Sequence, residues 1–170
     1  METKTFISVE EYLHTDYSPD CDYVDGELVE RNVGEHEHGS LQLRIGSYLL
    51  IAYGPKGFDV VVEQRVQVTG TRFRVPDVCV ARAESPMEQI FRKPPLIAIE
   101  ILSPEDRFSV LADKIQDHLA FGIPNIWVID PRKRRAFVYT REGRVEFKDL
   151  ILCSIDGEIV LPLAEIFAQM

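Results

Sequence analysis

Two short apolar runs stand out against an otherwise mixed pattern in this chain. Leu96 to Leu102 (LIAIEIL) and Asn125 to Asp130 (NIWVID) are almost continuously hydrophobic, as strands buried on both faces are. Between them, Ser109 to Phe121 carries Leu111, Ile115 and Leu119 at helical spacing, and Gly122 with Pro124 closes the segment. Strand, helix and strand in that order predict two parallel neighbours joined by a right-handed crossover.

The rest of the pattern builds outward from this unit. Ser8-Val9-Glu10-Glu11 is a capping box and predicts a short helix from Val9 to about His14, broken by Ser18-Pro19-Asp20. Asp22 to Arg31 reads as a hairpin with Asp25-Gly26 as its type I′ turn. Leu41, Ile45, Leu49 and Ala52 recur at helical spacing within a longer helix from about Glu35 to Tyr53, ended by Gly54-Pro55. Phe58 to Val68 is β-rich, Thr69-Gly70 is a turn, and Arg72 to Ala81 is expected to pair back on it. Ala136–Thr140 and Arg144–Phe147 form a second hairpin around Glu142-Gly143, and Leu161 to Met170 ends in a short helix. The expected architecture is α/β, a mixed central sheet flanked by helices, and the 170 residues suit a single domain.

Charge narrows the partners. The chain carries a net charge of −9, which argues against a general coat for nucleic acid, because such affinity comes from neutralising phosphates with Lys and Arg. The acidity is uneven. Residues 1–71 hold 5 basic and 13 acidic side chains, residues 72–148 hold 14 and 11, and residues 149–170 hold none and 4. The middle segment is therefore the only face for a polyanion, and contact with DNA there is expected to be weak and local. Cys21, Cys79 and Cys153 fit neither a disulfide framework nor a thiolate zinc site. Met1 to Thr15 has no apolar run of a signal peptide, and no stretch approaches the ~20 apolar residues of a membrane span. The expectation is a soluble, cytoplasmic protein with no membrane partner.

The candidate chemistry lies in a few carboxylates. Glu100 sits inside the apolar run, where a lone ionised carboxylate is costly unless a cation or donors meet it. Its bland alternative is a strand-end carboxylate in solvent or paired with an arginine. Asp77 follows Pro76, and a proline in a strand needs an edge or a bulge, which can re-aim its neighbour. Two carboxylates brought together repel unless one takes a proton or a cation binds. Oxygen ligands alone select Mg²⁺ or Mn²⁺, ions that assist phosphodiester hydrolysis. Lys114 lies just off the Leu111–Ile115–Leu119 stripe, with His118 on its side, and its stem can bring an ammonium to the sheet. Its alternative is an exposed lysine paired with Asp117. His36 and His38 form an H-x-H without a third zinc ligand, although His38 lies on the inward side of its helix. Asp22 alone reads as a solvated turn residue. Arg132 to Arg135 is the densest basic run.

Several segments occur in a telling order: Tyr23-Val24-Asp25-Gly26-Glu27-Leu28, Pro76-Asp77-Val78, Glu100-Ile101-Leu102-Ser103-Pro104, Asp113-Lys114, and Phe121 to Pro131 (FGIPNIWVIDP). The series resembles the Uma2 family of restriction endonucleases, a branch of the PD-(D/E)XK nuclease superfamily, from about residue 5 to residue 165. The resemblance implies a restriction-endonuclease-like fold and a Mg²⁺-dependent nuclease site. Asp77 and Glu100 match its acidic ligands, with the backbone carbonyl of Ile101 as a further one. The superfamily's lysine two residues after the second acid is Leu102 here, and Lys114 matches the lysine that family members of this type place on the next helix. Asp22 falls where the family often has a glutamate and His38 where it often has a histidine, both beside the site.

Two function classes follow. One is a metal-dependent DNA endonuclease, acting as a homodimer or with a partner to present enough positive surface. The other is a descendant that keeps the fold as a nucleic-acid or protein interaction module, favoured by Leu102 and the net charge of −9.

Overall fold

A computed structural model describes residues 6–31, 35–83 and 88–170. The chain runs α1 (Val9–Leu13), β1 (Asp22–Val24), β2 (Glu27–Val29), α2 (His36–Tyr53), a 3₁₀ turn (Gly54–Lys56), β3 (Phe58–Val62) and β4 (Val66–Thr69). It continues through β5 (Arg72–Arg74), β6 (Val78–Arg82), β7 (Ile97–Ile101), α3 (Phe108–Phe121) and β8 (Asn125–Asp130). The last elements are β9 (Arg135–Thr140), β10 (Gly143–Glu146), β11 (Ile151–Cys153), β12 (Val160–Pro162) and α4 (Leu163–Ala168).

The central sheet has six strands in the order β10-β9-β8-β7-β6-β3. Only β7 and β8 are parallel, with Glu100 opposite Val128, as the strand–helix–strand reading requires. Residues alternate between the two faces of β7. Ile97, Ile99 and Ile101 join Leu41, Ile45, Leu49 and Tyr53 of α2 and Ile166 of α4 in one core. Ala98 joins Ile115 of α3, Ile126 and Val128 in the other. Glu100, two residues beyond Ala98, therefore faces α3. That parity decides which side chains can reach it.

A second sheet, β2-β1-β5-β4, corrects the reading of the β-rich stretches. Phe58 to Val68 and Arg72 to Ala81 are not one hairpin. Each divides into two strands that belong to different sheets. β3 pairs with β6, and β4 pairs with β5. Val75-Pro76-Asp77 is the passage from the small sheet to the large one, so Pro76 sits between strands and not in a bulge. Asp77 is thereby delivered to the start of β6, beside the end of β7.

The local signals hold elsewhere. Ser8 caps α1 by accepting from the Glu11 amide at 3.1 Å. Asp25 and Gly26 have φ of 50° and 100°, both positive as a type I′ turn demands. A Cβ on Gly26 would fall 2.6 Å from the exposed Phe6 ring, which would have to move, and the positive φ disfavours any side chain there. Gly122 ends α3 in the left-handed conformation, φ 106°. The β11–β12 pair was not expected from the sequence. Among the described residues no helix is long and apolar enough to cross a membrane.

Candidate active site

The site lies where the two sheets and α3 meet. Asp77 is fixed through its backbone: its amide donates to the Ile99 carbonyl at 3.0 Å, and the Gln42 side chain donates to its carbonyl at 3.0 Å. Its carboxylate then turns back onto β7. Oδ2 accepts from the Ile101 amide at 2.6 Å and stands 3.4 Å from His38 Nε2. Oδ1 accepts from Arg31 Nη2 at 2.6 Å.

Glu100 is met by α3. Lys114 and His118 are one helical turn apart and project from the side that faces β7. Lys114 Nζ donates to Glu100 Oε2 at 2.7 Å and to the Val75 carbonyl at 3.1 Å. His118 Nε2 stands 3.0 Å from Glu100 Oε1. A carboxylate can only accept, so that bond needs a proton on Nε2. His118 Nδ1 has no partner among the described residues, which makes the Nε2–H imidazole the form that leaves no buried donor unsatisfied.

Lys114 is thus buried, contrary to the surface alternative weighed for it, and Asp117 is engaged by other residues. Arg74 binds Asp117 Oδ2 at 2.7 Å through Nε and 2.6 Å through Nη2, and Arg72 reaches Oδ1 at 3.0 Å. The inward face of α3 is Lys114, Ile115 and His118, rotated from the Leu111–Ile115–Leu119 stripe, whose two leucines are only partly buried. The rotation follows from Glu100: a buried carboxylate is worth meeting with a cation and a donor. Asp22 is likewise no solvated turn residue. It is 2% exposed, accepts from the Val75 amide at 2.8 Å and from Arg74 at 3.1 Å, and lies 3.9 Å from Lys114.

Asp22, Arg31, His38, Asp77, Glu100 and Lys114 line a cleft of about 430 Å³ that also takes in Leu102, Ser103, Arg107 and the acidic Glu30, Glu105 and Asp106. Within it the protonation states are set by neighbours. Burial would raise the Asp77 carboxyl, but His38 and the charges of Lys114 and Arg31 outweigh it and hold it below the ordinary carboxylate range. Burial would lower Lys114, yet Asp22, Glu100 and Asp77 raise it above the usual lysine value. His38 is raised for the same reason, burial being outweighed by Asp77. The cleft therefore pairs ionised acid with fixed cation.

Asp77 and Glu100 offer carboxylate oxygens, which are hard donors. That set suits Mg²⁺ or Mn²⁺, ions commonly held by one or two carboxylates with waters and substrate phosphate completing the sphere. Among the described residues no cluster of three or more His, Cys, Asp or Glu is arranged to enclose a metal, so a closed protein cage such as structural zinc needs is not formed. His36 is exposed. The basic run occupies the turn after β8, where Asp130 accepts from the Arg132 and Lys133 amides at 3.1 Å each. Arg135 is committed to Glu146 at 2.7 Å. Sequence reasoning brought Asp77, Glu100, Lys114, Asp22 and His38 forward, and all five meet here. It missed Arg31, whose partner lies 46 positions away, and gave His118 no role.

No curated protein matches the chain. A crystal structure from Anabaena variabilis ATCC 29413, described as "a putative nuclease belonging to DUF820", aligns with TM-score 0.83 over 95% of this chain and 98% of that one. At 24% identity the likeness shows the fold, and the restriction-endonuclease-like expectation for the fold holds. A cryo-EM structure of a DrdV–DNA complex aligns with 78% of this chain and 13% of that one, at 18% identity and TM-score 0.41, too distant to carry an argument. The family model Uma2, "Putative restriction endonuclease", matches residues 9–165, and the chain belongs to the Uma2 family.

Proposed function

We propose that this chain is a metal-dependent endonuclease that hydrolyses phosphodiester bonds of DNA, with Asp77, Glu100 and Lys114 at its centre. The observation that supports this reading best is the meeting of Asp77 and Glu100 in one cleft, with Lys114 buried against Glu100 at 2.7 Å. Asp77, Glu100 and the carbonyl of Ile101 would hold Mg²⁺ or Mn²⁺. The ion would polarise the phosphate and lower the pKa of a bound water.

The chain's own residues have separable tasks. Lys114 is kept protonated by the carboxylates around it, so its role is that of a fixed cation and donor toward charge developing on phosphorus, and not of a base. Asp77, held ionised, presents an anion aimed by the Ile101 amide. His38 braces Asp77, and Asp22 holds the Val75 amide and the Arg74 guanidinium in place. DNA would approach through the basic middle of the chain.

The test is nicking of supercoiled plasmid in Mg²⁺ or Mn²⁺ against chelator, for wild type, Asp77→Asn and Glu100→Gln. Cation-dependent nicking that falls about a hundredfold or more in each variant supports the reading. Nicking unaffected by either variant, or absent in wild type with both cations, overturns it. A second reading, a non-catalytic interaction module, is favoured by one observation: each carboxylate is already neutralised within the chain, Asp77 by Arg31 and Glu100 by Lys114. It predicts DNA binding indifferent to divalent cations.

A further inference from the structure

Arg31 packs half-buried against the candidate metal ligand, its side chain 12% exposed and Asp77's 6%. A guanidinium 2.6 Å from Asp77 Oδ1 fills one coordination direction of that carboxylate with a permanent positive charge. Arg31 has a second carboxylate within reach. Its Nη1 stands 3.7 Å from Oε1 of Glu63, whose side chain is 48% exposed. Glu63 is positioned for this. It directly follows β3, its amide donates to the Asp77 carbonyl at 3.2 Å, and its backbone sits in the left-handed region, φ 52°. Non-glycine residues seldom adopt that conformation. The guanidinium thus spans one carboxylate that lines the cleft and a second, half-exposed one outside that lining.

Resting on the nuclease reading, we propose that Arg31 holds the place of the divalent cation on Asp77, and that cation binding drives it across to Glu63. In the metal-free chain it neutralises Asp77 and keeps the cleft formed. When a cation occupies Asp77, a guanidinium at hydrogen-bonding distance from the same oxygen is repelled, and Glu63 is the receiving anion. Metal affinity is then set by a competition internal to the chain, and the displaced guanidinium stands beside the half-exposed Glu63.

The test is Mn²⁺ binding by the full chain, followed by titration calorimetry and by the EPR signal of free Mn²⁺, without DNA. The proteins are wild type, Arg31→Gln, Arg31→Lys, Glu63→Gln and the Arg31→Gln/Glu63→Gln double variant. Removing the competitor is expected to tighten Mn²⁺ binding about tenfold or more, since charges in contact at a partly buried site interact strongly. Glu63→Gln is expected to weaken binding severalfold in the wild-type background and to do nothing once Arg31 is gone. That non-additivity separates displacement from a general field effect, in which Glu63→Gln would weaken both backgrounds alike. Arg31→Lys keeps the charge and is expected to bind between wild type and Arg31→Gln, which keeps the question open to test should Arg31→Gln fold poorly.

Wild-type binding that Arg31→Gln leaves unchanged or weakens overturns the proposal and spares the nuclease reading. Additive effects of the two substitutions also overturn it. Binding in Arg31→Gln but not in wild type supports it. Binding in neither protein overturns both.

Discussion

Lys114→Met is the most informative single perturbation of this fold. The substitution keeps the apolar stem and removes the ammonium, so the loss is electrostatic and not a cavity. Lys114 Nζ gives up a 2.7 Å bond to Glu100, a 3.1 Å bond to the Val75 carbonyl and a 3.9 Å approach to Asp22. The Lys114 and Glu100 side chains are 10% and 6% exposed, so solvent screens the pair little. What remains for Glu100 is the His118 Nε2–H. Removing one partner of such a buried pair costs about 3–5 kcal/mol, because the other charge stays buried without compensation. Against a total stability of roughly 5–15 kcal/mol, that is a large fraction. Urea denaturation in chelator measures it: with m near 1–3 kcal/mol/M, the midpoint should fall by roughly 1–5 M while m stays constant. Adding Glu100→Gln to Lys114→Met removes the stranded charge and should recover much of the loss. A midpoint shift of less than about 0.5 M for Lys114→Met, or a double variant less stable than the single by the full cost of Glu100→Gln, would refute the buried-pair account.

Other expectations follow from the same geometry. Arg74, with its side chain 3% exposed between Asp22 and Asp117, should cost about 3–5 kcal/mol when replaced by Met, whereas Arg72→Ala, 35% exposed, should cost within about 1 kcal/mol; equal costs in urea would contradict the difference in burial. His118→Phe should lose about 1–3 kcal/mol by leaving Glu100 Oε1 without its donor, and His118→Gln should lose less; ¹⁵N NMR should find the His118 proton on Nε2, and an Nδ1 proton would refute the assignment. The raised pKa of His38 fixes the sign of its pH effect. Its contribution is complete below the unfolded value of about 6.5 and is lost as pH rises through the higher folded value. In chelator, the melting-temperature gap between wild type and His38→Gln should therefore be wider at pH 6 than at pH 9, and a constant gap would refute it. Asp77, lowered, has the opposite sign: its contribution is present above the unfolded value of about 3.9 and is lost as pH falls through the folded one.

Long periodic segments were legible in the sequence because burial on one face repeats over many residues. α2 and α3 come from such runs, β7 and β8 from short runs that are apolar on both faces, and the Asp25-Gly26 turn follows from its positive φ requirement. The passage between sheets was not legible. Phe58 to Val68 carries valines on both sides of Glu63-Gln64-Arg65, and so short a polar interruption does not say whether the strand continues or changes sheet, which depends on which strand waits alongside. Pro76 marked the spot, but a proline states only that an amide is missing, not that the chain changes sheet. β11 and β12, three residues each, are too short to show a period. In the site, Glu100 was conspicuous because a charge in an apolar run must be accounted for. Lys114 and His118 on α3 were harder to place, since a hydrophobic stripe marks leucines as inward and polar residues as outward. Only the presence of Glu100 opposite reverses that rule. Arg31 carries no such mark: it follows a hairpin among polar residues, and nothing local points to Asp77.

The energetics of the Glu100–Lys114 pair bear on why the cleft exists. An apolar pair of similar volume in the same place would be neutral or stabilising, since desolvating two charges offsets most of their attraction. Stability therefore does not explain a glutamate in the centre of the six-stranded sheet, and the same holds for Asp77, Arg31, Asp22 and Arg74 around it. Each is retained with a partner of opposite charge, and all but Arg74 line the cleft. This arrangement bears on how a chain of net charge −9 would admit the polyanion that the proposed function requires. Asp22, Asp77 and Glu100 are each met by a cation within the chain, which weakens the acidic field of a cleft that Glu30, Glu105 and Asp106 also line. Whether a cation then replaces one of those internal partners is the point at which stability and activity would trade against each other. A variant that binds metal more tightly should accordingly be less stable in chelator and gain more from Mn²⁺ than wild type does, by the mass-action relation between ligand binding and folding.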